Sequence, residues 1–224
     1  MIQIVPAFLV ESERAFERNL RLVENDCSLI QVDVLDGSLF PNTCWFDAER
    51  IGNLKTHVEM ELHLMVENPL PIIEAWKKHV PTFKRAIVHT EMHRPSGVVT
   101  GIIQDDLKLE AGIALNPESP LQEVEEVLHI VDQLTVMSVH PGTQGQTFGD
   151  APHGGDIETI LQKIRDARSH RPDLMIEVDG GITQELIEPL VRAGANRLCI
   201  GSALFKSEDP TETLKSFNGL IASL

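Results

Sequence analysis

The chain has 224 residues, 42% of them hydrophobic, and it carries a formal net charge of −15 at pH 7. A chain of this length can bury a substantial core, and α/β barrels of this size commonly form one domain. The acidic balance disfavours binding to nucleic acid or to an anionic membrane surface, since both depend on clustered lysine and arginine. It does not disfavour a small anionic substrate, which local backbone amides can hold on an acidic protein.

Cysteine usage and the first residues bear on the cellular compartment. Cys27, Cys44 and Cys199 are widely spaced and odd in number, and the sequence has no Cys-x-x-Cys motif. This pattern predicts reduced thiols rather than a disulfide framework. The chain starts with a strand-like run and shows no basic region followed by a long apolar segment. We therefore expect a cytoplasmic globular protein without a membrane span.

Eight short runs rich in β-branched and aliphatic residues recur along the chain and predict β-strands. They lie at 2–6, 29–35, 59–66, 85–89, 110–115, 133–139, 175–179 and 197–200. Segments with the periodicity of an amphipathic helix separate many of them. These helical segments lie at 15–23, 71–79, 120–131, 157–167, 184–193 and 210–221. Pro71 and Pro120 suit the first turn of a helix, and Gly194 suits a helix end.

Strands that alternate with helices at this spacing indicate parallel βαβ units. Eight such units predict a single (β/α)₈ TIM barrel, spanning residues 1–224 as one domain. A doubly wound open sheet is the alternative fold, but no Gly-x-Gly-x-x-Gly motif follows the first strand.

Two aspartates stand in runs that should otherwise be apolar. Asp33 and Asp179 each lie at the end of a predicted strand that leads into a glycine turn. Burying an ionised carboxylate costs several kcal/mol unless it is paired or bound to a metal, so these groups are candidates for function. The alternative is that each carboxylate accepts backbone N–H bonds at its turn.

The alternation of side chains along a strand places further polar residues beside these aspartates. Gln31 shares a face with Asp33, and Glu177 shares one with Asp179, while Glu61 and His63 share a face of the third strand. In a barrel the inward faces converge, and polar residues at the C-terminal ends of the strands form the active site. Those ends carry Asp33, Asp36, His63, His89, Asn116, His140, Asp179, Gly201 and Ser202.

Glycine-rich loops follow the last three strands, at 141–146, 179–182 and 201–205. Free N–H groups in such loops hold phosphate in TIM barrels, most often after the late strands. One glycine pair alone is more typical of a turn. Three consecutive loops at one end of the barrel predict a phosphate site.

The ordered set of strand-end motifs resembles the ribulose-phosphate 3-epimerase family, and the resemblance runs nearly the whole length. The motifs are VDVLDG at 32–37, LHLMV at 62–66, VHTE at 88–91, ALNP at 114–117, VMSV at 136–139, VDGGI at 178–182 and GSA at 201–203. The resemblance implies a TIM barrel of the ribulose-phosphate-binding type. It also implies an enzyme that inverts the carbon next to the ketone of a phosphorylated ketose, through an enediolate. D-ribulose 5-phosphate would be converted to D-xylulose 5-phosphate.

The resemblance also implies roles for particular residues. Asp33 and Asp179 match the acid–base pair, and with His63 they match ligands of a divalent metal such as Zn²⁺, Mn²⁺, Fe²⁺, Co²⁺ or Mg²⁺. Met65 and Met137 match the walls over the enediolate. The substrate and phosphate loops are matched by Gly142, Gly145, Gly180, Gly181, Gly201 and Ser202. Self-association into a homo-oligomer is usual in the family.

The sequence departs from the family at several of these positions. Gln31 stands where the family has a fourth, histidine ligand, and an amide oxygen suits Mg²⁺ better than Zn²⁺ or Fe²⁺. This change predicts weakened or absent metal binding. Ala7 stands where the family has a serine, and Gln144 where it has a glycine. A Gly-rich segment at 149–155 is inserted in the loop after the sixth strand, and His153 within it is a candidate replacement ligand with His140 nearby.

These departures leave three hypotheses about function. The first is a metal-dependent 3-epimerase of a ketose phosphate, with a hexulose 6-phosphate as an alternative substrate. The second is a non-catalytic paralogue that binds phosphosugars. The third is another phosphate-binding barrel lyase or isomerase. Such relatives commonly place a lysine beside the carboxylates of the second or third strand, and residues 29–37 and 59–66 contain none.

Overall fold

The computed structural model of the chain describes residues 2–143, 145–149 and 156–224. Its eight strands are β1 Gln3–Phe8, β2 Leu29–Val34, β3 Glu59–Leu64, β4 Phe83–His89, β5 Glu110–Leu115, β6 Gln133–Met137, β7 Met175–Asp179 and β8 Arg197–Ile200. Each strand pairs in parallel with its neighbours in chain order, and β8 pairs with β1. The strands therefore close into the (β/α)₈ TIM barrel that the sequence predicts.

Helices connect the strands around the outside of this barrel. They are α1 Glu13–Val23, α2 Ala48–Gly52, α3 Leu70–His79, α4 Ser96–Gly101, α5 Ile157–His170, α6 Gln184–Ala193, α7 Ser202–Phe205 and α8 Pro210–Ala222. Capping follows the sequence, since the side chains of Ser12, Asp156 and Asp209 each accept a backbone N–H in the first turn of a helix. Gly194 ends α6 in a left-handed conformation with φ of +119°.

The helix predicted at 120–131 is wrong as an α-helix. A 3₁₀-helix spans Leu121–Val124, and hydrogen-bonded turns follow it up to residue 130. Several N–H groups here bond three residues back, as from Glu123 to Pro120 and from Ile130 to Val127. The apolar residues that predict this helix are nevertheless buried, namely Leu121, Val124, Leu128 and Val131. Burial periodicity thus identifies the buried face without deciding between the two helical hydrogen-bond patterns.

The apolar core lies between the barrel wall and the surrounding helices. Large side chains such as Phe8, Phe16, Leu62 and Trp76 are almost fully buried there. Phe8 stacks edge-on against Phe16 with ring centroids 5.3 Å apart. Burial of this apolar layer is the main favourable contribution to folding.

The inside of the barrel carries many polar side chains as well. Arg85 on β4 pairs with Glu61 on β3 and with Glu110 on β5. Further round the barrel, Glu177 on β7 accepts hydrogen bonds from Gln133 and from Thr135, each at 2.9 Å. The partners of Arg85 offset the cost of burying its charge, and burial raises the pKa of Glu177 well above its usual range. Together these side chains form a polar floor below the C-terminal ends of the strands.

Close packing of α2 against the end of α3 gives a test of the fold. A Cβ atom added at Gly52 would lie 1.9 Å from the carbonyl oxygen of His79. We expect Gly52→Ala to destabilise the protein by about 1–3 kcal/mol, because the backbones must move apart. The measurement is chemical unfolding. Gly219→Ala is the control, since nothing lies within 4 Å of its added Cβ in α8, and it should stabilise by about 0.5–1 kcal/mol.

Two expectations from the sequence concern membrane spans and the inserted segment. Among the described residues, no helix combines the length and apolarity needed to cross a membrane. The inserted segment at 149–155 lies outside the described residues except for Gly149, so its place in the fold stays a prediction.

Candidate active site

A cavity opens at the C-terminal ends of the strands, above the polar floor. Every site residue predicted from the family resemblance lines it except Gln31, namely Asp33, His63, Met65, Met137, Gly142, Gly145, Asp179, Gly180, Gly181, Gly201 and Ser202. Gln31 is fully buried and lies two residues before Asp33 on β2, below the cavity. The barrel therefore collects on one surface residues that are up to 169 positions apart in the sequence, Asp33 and Ser202.

The centre of the cavity is formed by two carboxylates and one imidazole. Nδ1 of His63 lies 3.1 Å from Oδ1 of Asp33 and 3.3 Å from Oδ2 of Asp179. The ring of His63 is buried, while the two carboxylates are 11% and 14% exposed and so reach the cavity. Parallel register explains the first pair, because Asp33 and His63 are directly opposite on β2 and β3.

The side-chain amide of Gln31 reaches the same point from below. Its Nε2 donates to Oδ1 of Asp33 at 2.9 Å and to Oδ2 of Asp179 at 2.7 Å. The two oxygens of ionised carboxylates can only accept hydrogen bonds, so the amide must present its nitrogen to them. Gln31 is thus a shared donor to the acid pair in this arrangement, and its oxygen points the other way.

Cys199 on β8 contacts the oxygen atom of the same Gln31 amide. Its thiol donates to Oε1 of Gln31 at 3.1 Å. Burial raises the pKa of Cys199 well above its usual range, and the carboxylate of Glu177 adds to the rise. The thiol therefore keeps its proton and remains a donor, which favours the amide orientation with its nitrogen toward Asp33 and Asp179.

The acid pair and the imidazole perturb one another's protonation. Burial alone would lower the pKa of His63, but the hydrogen bonds to Asp179 and Asp33 outweigh it and raise the pKa to about 10. Burial also raises the pKa of Asp33, a rise that the hydrogen bond from His63 opposes and the nearby Asp179 carboxylate reinforces. Perturbed groups of this kind, facing a cleft, are typical of catalytic sites.

The same three side chains fit a divalent cation. Asp33, His63 and Asp179 each offer a ligand atom, and these atoms all lie within 4.8 Å of one another. Two carboxylate oxygens and one imidazole nitrogen suit several divalent metals. Gln31 does not complete this set as it is placed, because a ligand would have to be its oxygen and that atom faces Cys199.

Sulfur and methyl groups form the walls beside this centre. Met65 and Met137 are almost fully buried and line the cavity together with Ala7. Ala7 has no hydroxyl to offer a substrate, as the sequence indicates. The apolar walls leave the two carboxylates as the polar groups that point into this part of the cavity.

The three glycine-rich loops meet on the other side of the cavity. Gly142, Gly145, Gly180 and Gly181 all have positive φ, between +58° and +119°, a region that glycine adopts without strain. At Gly181 an added Cβ would lie 2.3 Å from the backbone nitrogen of Phe148, so the loops after β6 and β7 approach backbone to backbone. Exposed N–H groups in such loops can surround an anion.

Lys206 is a cation beside these loops that the sequence reasoning missed. Its Nζ lies 2.9 Å from the point that a Cβ would occupy at Gly145. No lysine or arginine lines the cavity itself, as far as residues 2–143, 145–149 and 156–224 show. In the sequence, only its position directly after the GSALF segment connects Lys206 with the phosphate loops. An exposed lysine after a short helix is too common to indicate a binding site.

His153 is a candidate substitute for the missing ligand, with His140 nearby, and the structure describes only His140. His140 lines the cavity with its Nε2 3.5 Å from Oε2 of Glu118, and it is not part of the ligand group formed by Asp33, His63 and Asp179. His153 lies outside the described residues, as does Gln144. The roles of these two residues therefore stay predictions.

Solved structures resemble this chain over its full length. KGPDC from Streptococcus mutans superposes with a TM-score of 0.73 at 12% identity, covering 99% of this chain and 98% of that one. A 3-hexulose-6-phosphate synthase from Salmonella typhimurium superposes with a TM-score of 0.69 at 15% identity, covering 99% of each. At these identities the likeness shows the TIM-barrel fold alone.

Sequence comparison gives the family. The model of the ribulose-phosphate 3 epimerase family matches residues 3–205. A ribulose-phosphate 3-epimerase from Bacillus subtilis is 30% identical over 243 residues, covering 98% of this chain and 99% of the relative. The chloroplastic ribulose-5-phosphate-3-epimerase of Arabidopsis thaliana is 33% identical over 232 residues, covering 96% and 75%. The chain therefore belongs to the ribulose-phosphate 3-epimerase family, whose members are carbohydrate isomerases.

Proposed function

We propose that the protein catalyses the 3-epimerisation of D-ribulose 5-phosphate to D-xylulose 5-phosphate through an enediolate. One observation carries the proposal: Asp33 and Asp179 come from the separate strands β2 and β7 and face one cavity beside His63. A substrate between them presents one face of its reacting carbon to each carboxylate. The family and its named relatives support the same reaction.

The proposed mechanism needs one proton acceptor and one proton donor. One aspartate in its ionised form removes the proton from the carbon next to the ketone, and the other aspartate, protonated, delivers a proton to the opposite face. Burial raises the pKa of Asp33, so this carboxyl can hold a proton nearer to neutral pH than an exposed aspartate. The buried methionine walls keep water away from the enediolate.

We propose that this chain, like its family, depends on a divalent metal. Asp33, His63 and Asp179 would hold the cation, with Gln31 outside the ligand set unless its amide turns over. A bound divalent cation supplies positive charge that stabilises the developing oxyanion and offsets the repulsion between the two carboxylates. Affinity measurements on the purified protein decide which divalent metal binds.

The phosphate of the substrate is proposed to lie against the loops that contain Gly142, Gly145, Gly180, Gly181, Gly201 and Ser202. Backbone N–H groups there can donate to the phosphate oxygens, which an acidic protein needs because it has few cations to offer. These loops and Asp33 line the same cavity, which fits a small substrate that carries both a phosphate and the reacting carbon.

The direct test is to incubate the purified protein with D-ribulose 5-phosphate in deuterated water and to follow the products by NMR. We expect D-xylulose 5-phosphate that carries deuterium at C3, with a higher rate after addition of Mn²⁺, Zn²⁺ or Mg²⁺. Chelation should lower the rate and re-addition of metal should restore it. Binding of the sugar without any exchange at C3 would contradict the proposed reaction.

A non-catalytic phosphosugar-binding role is the second candidate, and one observation favours it. The amide nitrogen of Gln31 already bonds to both carboxylates, at 2.9 and 2.7 Å. If these bonds persist in the presence of substrate, both acids stay occupied. Such a protein would gain thermal stability from phosphosugars while leaving the C3 proton in place. The same deuterium experiment separates the two candidates.

Lys206 is predicted to strengthen substrate binding without taking part in proton transfer. We expect Lys206→Met to raise KM about fivefold, since one charge-assisted contact near the surface contributes about 1 kcal/mol. The value of kcat should stay the same, and Lys206→Arg should keep most of the affinity. Lys215→Met is the control, because Lys215 pairs with Glu212 on α8. An unchanged KM in Lys206→Met would place this lysine away from the phosphate.

Assembly and location are proposals as well. The apolar segment at 39–46 packs partly onto the barrel, since the backbone N–H of Trp45 donates to the carbonyl of Val10 and the Trp45 ring lies 5.9 Å from that of Phe16. The segment therefore packs against the turn after β1 and against α1. Self-association into a homo-oligomer stays a prediction that light scattering can test. We also propose that the protein works in the cytoplasm on a small phosphorylated sugar.

A further inference from the structure

A chain of hydrogen bonds leads away from the candidate metal ligand His63 into the protein. Nε2 of His63 lies 2.8 Å from Nε2 of His89, and the two rings stack with centroids 5.0 Å apart. Nδ1 of His89 lies 2.9 Å from Oε2 of Glu91. Both rings are buried, with 1% and 0% of their area exposed. The proton-transfer mechanism proposed above does not use His89 or Glu91.

The chemistry of these groups fixes where the protons lie. A carboxylate only accepts, so Nδ1 of His89 must carry a proton to bond to Glu91. A fully buried imidazole is favoured in its neutral form, which leaves Nε2 of His89 as an acceptor. The proton between the two rings then belongs to Nε2 of His63. Nδ1 of His63 faces Asp33 and Asp179 at 3.1 and 3.3 Å and donates its proton to them in the metal-free protein. A divalent cation would displace that proton, which makes Nδ1 the atom that can bind it.

Glu91 is itself held rigidly at the far end of this chain. Its Oε1 accepts the backbone N–H of Asn116 at 2.8 Å and the hydroxyl of Ser119 at 2.6 Å. The loop after β5 that supplies these donors is fixed by Lys163 of α5, whose Nζ donates to the carbonyls of Asn116, Pro117 and Ser119. The two oxygens of Glu91 are therefore engaged on different sides, one by this loop and one by His89.

We propose that Glu91 is a positioning residue that acts through His89 to keep the proton of His63 on Nε2, so that Nδ1 faces the acid pair as a ligand. This inference rests on the proposed metal-dependent function, and it adds two residues beyond the metal ligands. Partners of this kind orient ligating histidines by fixing their tautomer, and their loss commonly costs about 10- to 100-fold in metal affinity.

The arrangement predicts a specific defect for Glu91→Gln. The backbone N–H of Asn116 cannot reverse its direction, so the oxygen of the new amide must remain on that side. The amide nitrogen then faces Nδ1 of His89 as a donor. His89 must accept there and carry its proton on Nε2, where it opposes the N–H of His63. The hydrogen bond between His89 and residue 91 thus reverses its direction. His63 can no longer donate from Nε2 to His89, which favours its tautomer with the proton on Nδ1.

The test combines two measurements on the purified full chain labelled with ¹⁵N-histidine. Long-range ¹H–¹⁵N correlation spectra report the tautomer of each ring, and calorimetric titration with Mn²⁺ and with Zn²⁺ reports metal affinity. We expect His89 to be protonated on Nδ1 in the unaltered protein and on Nε2 in Glu91→Gln. Metal affinity should fall by about 10- to 100-fold in that variant. Glu91→Asp keeps an acceptor and should restore much of the affinity.

Glu67→Gln is the matched control, because Glu67 also pairs with a histidine at 2.9 Å, but with His93, which is 90% exposed. It should leave the spectrum of His89 and the metal affinity unchanged. A wild-type tautomer of His89 in Glu91→Gln would overturn the inference. A reversed His89 tautomer with unaltered metal affinity would also overturn it. If the unaltered chain binds neither metal, the metal proposal fails, and the spectra still decide separately whether Glu91 sets the tautomer of His89. Where Glu91→Gln does not fold, His89→Gln tests the same link through metal affinity.

Discussion

Replacing Asp33 or Asp179 by asparagine, one at a time, is expected to lower kcat for epimerisation by about 10²- to 10⁴-fold, the usual contribution of a positioned acid or base. Asparagine has nearly the same shape, but it can neither remove nor deliver the C3 proton. It also keeps hydrogen bonding to Gln31 possible. The measurement is the steady-state rate with D-ribulose 5-phosphate at saturating metal, so that a weakened metal site does not account for the loss.

Isotope exchange makes this prediction more specific. With one carboxyl group removed, the remaining aspartate can still take a proton from the epimer whose C3–H bond faces it, and can return a deuteron to the same face. Each variant should therefore exchange C3 of one epimer only, and the two variants should select opposite epimers. Exchange of both epimers by either variant would contradict the assignment of one aspartate to each face of the substrate.

Replacing Gln31 by histidine is expected to raise the affinity for Zn²⁺ by at least about tenfold, since partners outside the ligand shell already contribute about 10- to 100-fold. A neutral imidazole would offer a nitrogen lone pair at the point where the amide of Gln31 now presents N–H groups to Asp33 and Asp179. Calorimetric titration and the metal content of the purified protein measure the change. Mg²⁺ affinity should rise less, because Mg²⁺ prefers oxygen ligands.

One further variant and one control show whether metal affinity depends on the orientation of the Gln31 amide. Cys199→Val removes the thiol donor that holds Oε1 of Gln31 away from the acid pair. The amide can then turn its oxygen toward the cation, so Mg²⁺ affinity should rise in this variant. Gln104→His is the control, because Gln104 is a surface residue that bonds to Asp132. Equal metal affinity in the unaltered chain and in Gln31→His would show that side chains at this position do not reach the cation.

Much of this architecture can be predicted from the sequence, because the barrel depends on patterns that are local along the chain. The eight apolar runs, the amphipathic helices between them and the glycine stop at Gly194 all come from short-range periodicity and turn chemistry. Short helices such as α2, Ala48–Gly52, and α7, Ser202–Phe205, are too brief to show a period. The family motifs extend the prediction to Asp33 and Asp179, since each stands at the end of an identifiable strand.

What the sequence does not give is the set of contacts between distant strands. The bond from Cys199 to Gln31 joins residues 168 positions apart, and neither residue type indicates a partner by itself. The chain from His63 through His89 to Glu91 likewise depends on the register of β3 and β4 and on the loop after β5. Side-chain direction in a closed barrel decides these contacts, and a strand pattern specifies only which face a residue occupies.

The separation between the apolar layer outside the barrel wall and the polar groups inside it has an evolutionary consequence. Most of the hydrophobic stabilisation comes from residues such as Phe16 and Trp76, which contact neither the cavity nor the floor beneath it. A paired change on the inner wall can therefore alter a ligand set while the fold keeps its main source of stability, as long as buried polar groups stay matched. Gln31 and Cys199 are two matched polar groups on this inner wall. Matched changes at such positions can alter or abolish metal binding in a barrel of this kind while the folded state keeps its stability.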